Sequence, residues 1–227
     1  SANGGAAWTD WPPELALRER GAMDRAADEL ADAIEQQRFR QFLFSRQWER
    51  LRRSAAELGV RILGDVPIFV AHDSADVWSR PDWFDLDSSG RPRVVAGVPP
   101  DYFTATGQLW GNPLYLWERH ADEGFAWGIH RLSQTLRLVD GIRLDHFRGF
   151  QAHWEVPGGA PTAETGQWVE GPGARFFEAV RAALGSLPIV AEDLGVITAQ
   201  VRSLRDRFEL PGMKVLQFAF SGEADNE

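Results

Sequence analysis

Asp145 closes the string G-I-R-L-D and Glu192 closes V-A-E, each where a short apolar, β-branched run stops. Two carboxylates at the ends of neighbouring strands are what the chemistry of a glycosidic bond needs. Alternation with period two puts Arg143 and Asp145 on one face of their strand and Ile142 and Leu144 on the other, and pairs Val190 with Glu192 in the same way. An isolated R-x-D reads first as a structural ion pair. Glu192 alone reads as a neighbour of a helix start, with Asp193 complementing the N-terminus of the helix that follows. Asp65 repeats the pattern on an earlier strand, and three strands ending in acids are hard to assign to structure, because βα barrels place catalytic groups at those ends.

The elements that must carry these acids can be read from periodicity. Residues 10–21 offer an acidic start, prolines and a short helix. From 24 to 58 the pattern is helical, with Phe44, Trp48, Leu51, Ala55 and Leu58 on one face that is expected to be buried, and with Gly59 as its C-terminal stop. A strand over 60–70 follows. Residues 71–118 carry turn residues and aromatics without helical period, and predict a hairpin around Ser88, Ser89 and Gly90 followed by a long ordered loop. A helix near 121–138 leads into the Asp145 strand. A Gly- and Pro-rich insertion covers 151–170, helices are expected over 171–185 and 196–208, and the strands 188–193 and 213–220 complete the set. Four strands separated by helices predict parallel βα units, in an open sheet or a barrel.

Bulk composition narrows the partners. A content of 44% apolar and 11% aromatic residues fits a substantial core and excludes disorder. The net charge of −9 disfavours nucleic acid and anionic membrane, leaving neutral ligands. With no cysteine there is no disulfide, thiolate metal site or cysteine nucleophile, which fits a cytoplasmic protein. His72, His120, His130 and His153 show no ligand spacing, so no metal is expected. Among ten tryptophans, Trp48 reads as core. Trp110, between Leu109 and Gly111 in a loop, is the one assigned to a ligand, while Trp78, Trp83, Trp154 and Trp168 stay open.

The strings GDVPIFVAHDSADVW, VAGVPPDYFTATGQLWGNPLY, GIRLDHFRGF and AEDLG, in this order and spacing, resemble the amylomaltases, bacterial 4-α-glucanotransferases of the α-amylase clan. The resemblance runs from about Trp8 to the end. It implies that Asp145 is the nucleophile, Glu192 the general acid/base, and Arg143 the arginine that holds the nucleophile ionised. Asp65 then contacts the donor sugar, and His146 and Trp110 match sugar-contacting positions. Asp101, Tyr102 and Phe103 fall in a loop over the acceptor side. It also implies maltooligosaccharides or other α-1,4-glucans as substrates, no cofactor, and an α/β fold, a partial (β/α)8 barrel with helical and loop insertions.

Physical chemistry agrees with these roles. A retaining enzyme needs its carboxyls about 5–5.5 Å apart, one ionised and one protonated, and a neighbouring guanidinium supplies the asymmetry. The extent departs from the family pattern. A complete barrel takes eight βα units, whereas four strands are expected here, and no THD motif that would supply a third carboxylate follows Phe220. Residues 1–7 read as extraneous or linker sequence, and 8–227 as the central part of one barrel domain, incomplete at both ends. Such a segment is expected to self-associate through open sheet edges and to have little activity alone. Three classes stay open: an α-1,4-glucan transferase, an α-glucan hydrolase of the same clan, and an inactive fragment with a structural or sugar-binding role.

Overall fold

The computed structural model describes residues 3–101 and 104–220, apart from the side chains of 218 and 219. The helices are α1 (Pro13–Ala16), α2 (Arg20–Glu29), α3 (Ala31–Glu57), α4 (Ala75–Ser79), α5 (Trp117–Asp122), α6 (Ala126–Leu136), α7 (Ala174–Leu184) and α8 (Ala199–Arg207). The strands are β1 (Leu63–Pro67), β2 (Val94–Val98), β3 (Gln108–Pro113), β4 (Gly141–Asp145), β5 (Ala152–Pro157), β6 (Gln167–Glu170) and β7 (Ile189–Ala191). The chain divides into two compact units, one of residues 1–62, 69–123 and 154–169, the other of 63–68, 124–153 and 170–227.

The second unit carries a parallel sheet in the order β1-β4-β7. Strands that succeed one another around the sheet with helices between them are the winding of a βα barrel, and the chain is α/β with part of such a barrel. Alternation decides its faces as expected: Ile142, Leu144, Ile189 and Ala191 are almost fully buried, whereas Arg143 and Asp145 lie on the other, half-open face. After β4, Phe147 and Phe150 join Phe176, Phe177 and Phe208 in one aromatic cluster with neighbouring ring centroids 4.9–6.4 Å apart. Each such side chain contributes about 1.5–3 kcal/mol by burial.

In the first unit, the segments expected to be a loop and a Gly-Pro insertion form a second sheet, in the order β3-β2-β5-β6, with β2 antiparallel to both β3 and β5. The hairpin turn expected around Gly90 is present. Asp87 Oδ1 accepts from the backbone N–H groups of Ser89 and Arg91 and from the Ser89 hydroxyl, the Asx-turn chemistry that favours such a bend. Trp78, Trp83 and Trp154 serve structure, since each indole N–H donates within this unit: to Leu15 O, to Glu123 Oε2 and to Ala163 O.

Three expectations are corrected. The helical run over 24–58 breaks at Leu30 into α2 and α3, and α3 buries none of its residues. Phe44, Leu51 and Leu58 are exposed and Trp48 is only half-buried, stacked on Phe44 at 5.8 Å, because periodicity fixes which face is apolar and not what covers it. Gly59 does stop the helix: the Gly59 and Val60 N–H groups donate to Ala56 O and Ala55 O, a Schellman motif. The helix near 121–138 is two, α5 and α6, separated where Phe125 takes a left-handed conformation with φ 56°. Residues 213–220 are not a strand. Leu216–Phe220 is a 3-10 helix, and only Pro211 joins the strand ladder, accepting from Ala191 N.

Candidate active site

β4 and β7 bring their acids to one edge of the parallel sheet, whereas Asp65, expected at a strand end, lies two residues before the end of β1 at the level of Arg143. Asp65 is paired in register with Arg143, and Pro67 with Asp145. On the other side Arg143 is paired with Val190 and Leu144 with Ala191, so the next step places Glu192 beside Asp145. The Glu192 N–H donates to Leu144 O at 3.0 Å, which holds that register one residue past β7. Neighbouring strands lie about 4.8 Å apart, and side chains at matched register share a face.

Arg143 joins two of the acids. Its Nη1 donates to Asp65 Oδ1 at 2.8 Å and its Nη2 to Asp145 Oδ1 at 2.6 Å. Burial opposes the charge on Arg143, but the hydrogen bond to Asp65 and the charges of Asp145 and Asp65 hold its pKa above the ordinary value. A guanidinium spread over two carboxylates fixes the orientation of each.

Glu192 has a different environment. Its oxygens accept only backbone donors, Oε2 from His146 N at 2.9 Å and Oε1 from Leu194 N at 3.2 Å. Burial pushes its pKa up, opposed by those two N–H groups and by Arg143, and assisted by the charge of Asp145. Residue 146 itself adopts the left-handed conformation, φ 51° and ψ 48°, so the chain leaves the strand direction directly after the amide that meets Glu192. The adjacent Phe147 N–H donates to Glu192 O at 3.1 Å.

The His146 imidazole is kept neutral. Burial, then the positive charge of Arg148 and the proximity of His153, bring its pKa down to about 4, and burial alone does the same to His153. Arg148 is itself buried and donates through Nη1 to Val196 O. A neutral imidazole beside two acids can donate or accept a hydrogen bond with a hydroxyl without adding charge.

The structure therefore brings together Asp65, Arg143, Asp145, His146 and Glu192. Asp101 and Trp110 belong to the first unit. Asp101 is exposed and closes a turn, accepting from Thr104 N and Oγ1, and the Trp110 indole donates to Gln108 Oε1 at 3.0 Å on β3. Tyr102 and Phe103 lie outside the described residues. Asp193, read as a partner of the following helix start, does other work: Thr198 caps α8, and Asp193 Oδ1 accepts from Met213 N while its Oδ2 accepts from Arg205. Sequence reasoning missed Asp193 and Met213 as neighbours of the site, because their contact spans twenty residues of chain. Among the described residues no group of three or more His, Cys, Asp or Glu side chains could hold a metal ion, and no helix is long and apolar enough to cross a membrane.

Comparison with known proteins places this geometry. The family model described as 4-alpha-glucanotransferase matches residues 1–227. The 4-alpha-glucanotransferase of Thermus thermophilus is 54% identical over 99% of this chain, and that of Synechocystis 52% identical over 99%. Among solved structures, the amylomaltase from Streptococcus agalactiae in complex with acarbose is 37% identical and superposes over the whole chain with a TM-score of 0.95. The chain spans 45% of the length of the first two relatives and 46% of the third. With every residue matched by the family model and strand-end acids in the arrangement described, this chain belongs to the 4-alpha-glucanotransferase family.

Proposed function

We propose that this chain carries the nucleophile and the general acid/base of a retaining 4-alpha-glucanotransferase. The observation that carries the reading is the opposite treatment of two carboxyls at adjacent strand ends: Asp145 is gripped by a guanidinium, and Glu192 is desolvated so that its proton is held more tightly. In the first step Asp145 attacks the anomeric carbon of an α-1,4-glucan as Glu192 gives its proton to the departing glycosidic oxygen, and a glycosyl ester forms on Asp145. In the second step Glu192, now a base, takes the proton of an acceptor hydroxyl as that oxygen displaces the ester. The donor unit is thereby passed on with its configuration retained.

Arg143 keeps the nucleophile charged and aimed, and Asp65, fixed by the same guanidinium, contacts the donor sugar. His146, neutral at working pH, hydrogen bonds a sugar hydroxyl. The sequence resemblance assigns sugar-contacting roles to Trp110, Asp101, Tyr102 and Phe103 as well. The acarbose complex of the Streptococcus agalactiae relative supports an oligosaccharide ligand of the same kind here. The absence of cysteine supports a cytoplasmic location. Incubation of the protein, expressed from its own gene, with maltotriose tests the reading. Glucose together with longer maltooligosaccharides is the expected product set, and glucose with maltose alone would assign hydrolysis instead.

A further inference from the structure

The guanidinium that sorts the two carboxyls has a third edge. Arg143 Nε donates to the Met213 sulfur at 3.2 Å, while Nη1 and Nη2 hold Asp65 and Asp145. A thioether is a weak acceptor on a flexible stem of three rotatable bonds, so it can position an arginine only if its own backbone is fixed. That backbone is fixed from behind the site. Met213 N–H donates to Asp193 Oδ1 at 2.8 Å, Asp193 Oδ2 accepts from Arg205 Nη1 at 2.5 Å, and the same Arg205 is held by Asp206.

The fit is close enough to restrict the sequence. A Cβ at Gly212 would stand 2.6 and 2.8 Å from the two Asp193 oxygens and 2.9 Å from Arg205 Nη1, so the 211–213 backbone reaches this carboxylate because residue 212 has no side chain. One step earlier, Ala191 N–H donates to Pro211 O and ties the same segment to β7. The Asp193 side chain is only 7% exposed, and burying it against a charged partner serves little purpose on a surface. Glu192 and Asp193 are adjacent residues whose carboxyls work in different places, the first at the sheet edge with Asp145 and the second behind it on Met213.

We infer that Asp193 and Met213 are positioning residues that act through Arg143, fixing the third edge of the guanidinium so that its other two nitrogens meet Asp65 and Asp145 together. This rests on the reading of Asp145 as nucleophile. An arginine released from its third contact swings among rotamers, and a displacement of about 1 Å at the attacking oxygen can lower a rate 100-fold.

Met213→Leu keeps the bulk and removes the sulfur, and Asp193→Asn keeps an oxygen for Met213 N–H and removes the charge facing Arg205. Both are made in the protein expressed from its own gene. The expected result for Met213→Leu is a kcat on maltotriose lowered about 10-fold with KM within about twofold of the parent and an unchanged melting temperature. Asp193→Ala should lose about 100-fold and Asp193→Asn should recover most of it. The discriminating readout is a glycosyl fluoride donor, whose leaving group needs no proton from Glu192. The defect must persist with the fluoride, since it lies at the nucleophile. Full activity in Met213→Leu, a defect that disappears with the fluoride, or an Asp193→Asn variant no better than Asp193→Ala would each overturn the inference. Whether the glycosyl adduct forms on Asp145 in a Glu192→Gln background is measured separately, so a wrong nucleophile assignment is told apart from a wrong positioning role.

Discussion

The ends of β4 and β7 differ in one respect that matters. Both present a carboxyl at the same level of one parallel sheet, but β4 meets it with a side-chain cation and β7 with backbone amides inside a desolvated pocket. A guanidinium carries a full charge, whereas two N–H dipoles only partly offset the penalty of burying a carboxylate. Two chemically similar groups thereby sit in different electrostatic surroundings. The difference also has an architectural origin: Arg143 is two residues before Asp145 on the same strand face, so its help is local, while the amides that reach Glu192 come from the turn after β4 and from its own chain two residues on.

Removing either carboxyl breaks the comparison at its strongest point. Asp145→Asn is expected to lower transfer and hydrolysis alike by at least about 10⁴-fold, because no other group can form the covalent ester. Glu192→Gln is expected to fail on maltotriose to a similar degree and yet to react with a glycosyl fluoride, accumulating a covalent adduct. Mass spectrometry of the trapped protein reads the site directly, and an adduct anywhere except Asp145 would refute the assignment.

A subtler change sharpens the same comparison. Arg143→Lys keeps a positive charge but cannot span Asp65 and Asp145 at once, since an ammonium is a point and not a planar fork. The expected loss is about 100-fold in kcat, with part of it appearing in KM because Asp65 is released as well. Steady-state kinetics on maltotriose would show this, and an Arg143→Lys variant with parental kcat would mean that charge alone suffices.

How much of this was legible in the sequence follows from what is local. The alternation in G-I-R-L-D told which residues of β4 face the core, and the end of the apolar run placed Asp145 and Glu192 at their strand ends, whereas Asp65 sits in the middle of β1. Helix stops such as Gly59 are local as well. What stayed hidden depends on partners distant in the chain. The apolar stripe of α3 announced itself, but nothing in residues 31–57 says what lies against it, and in this structure it is open. The strand expected over 213–220 does not form: the Met213 amide is bound by Asp193, distant in the chain, and Leu216–Phe220 winds into a 3-10 helix. The left-handed His146 had one weak signal, since histidine is among the residues that tolerate that conformation, and the amide that meets Glu192 had none.

The smallest expected effect is one of stability, and it runs with opposite signs at the two strand ends. Glu192 has a raised pKa in the folded protein, so its contribution is present below its unfolded value near 4.5 and is lost as pH rises through the folded one. The histidines behind β4 go the other way. His153 is buried and brought from 6.5 to about 4, so the folded state prefers the neutral ring; that preference is fully expressed above pH 6.5 and is lost as pH falls toward 4. Between pH 7.5 and 4.5 the linkage amounts to roughly 2.5 kcal/mol for His153, and His146, brought down to about 4 as well, works in the same direction. His153→Gln removes the titration while keeping hydrogen-bonding capacity. Urea unfolding at the two pH values is expected to show the parent losing about 2 kcal/mol more than the variant across that interval. Equal losses in both proteins would mean that the ring at 153 takes up its proton without resistance, and that the region behind β4 does not hold its histidines neutral.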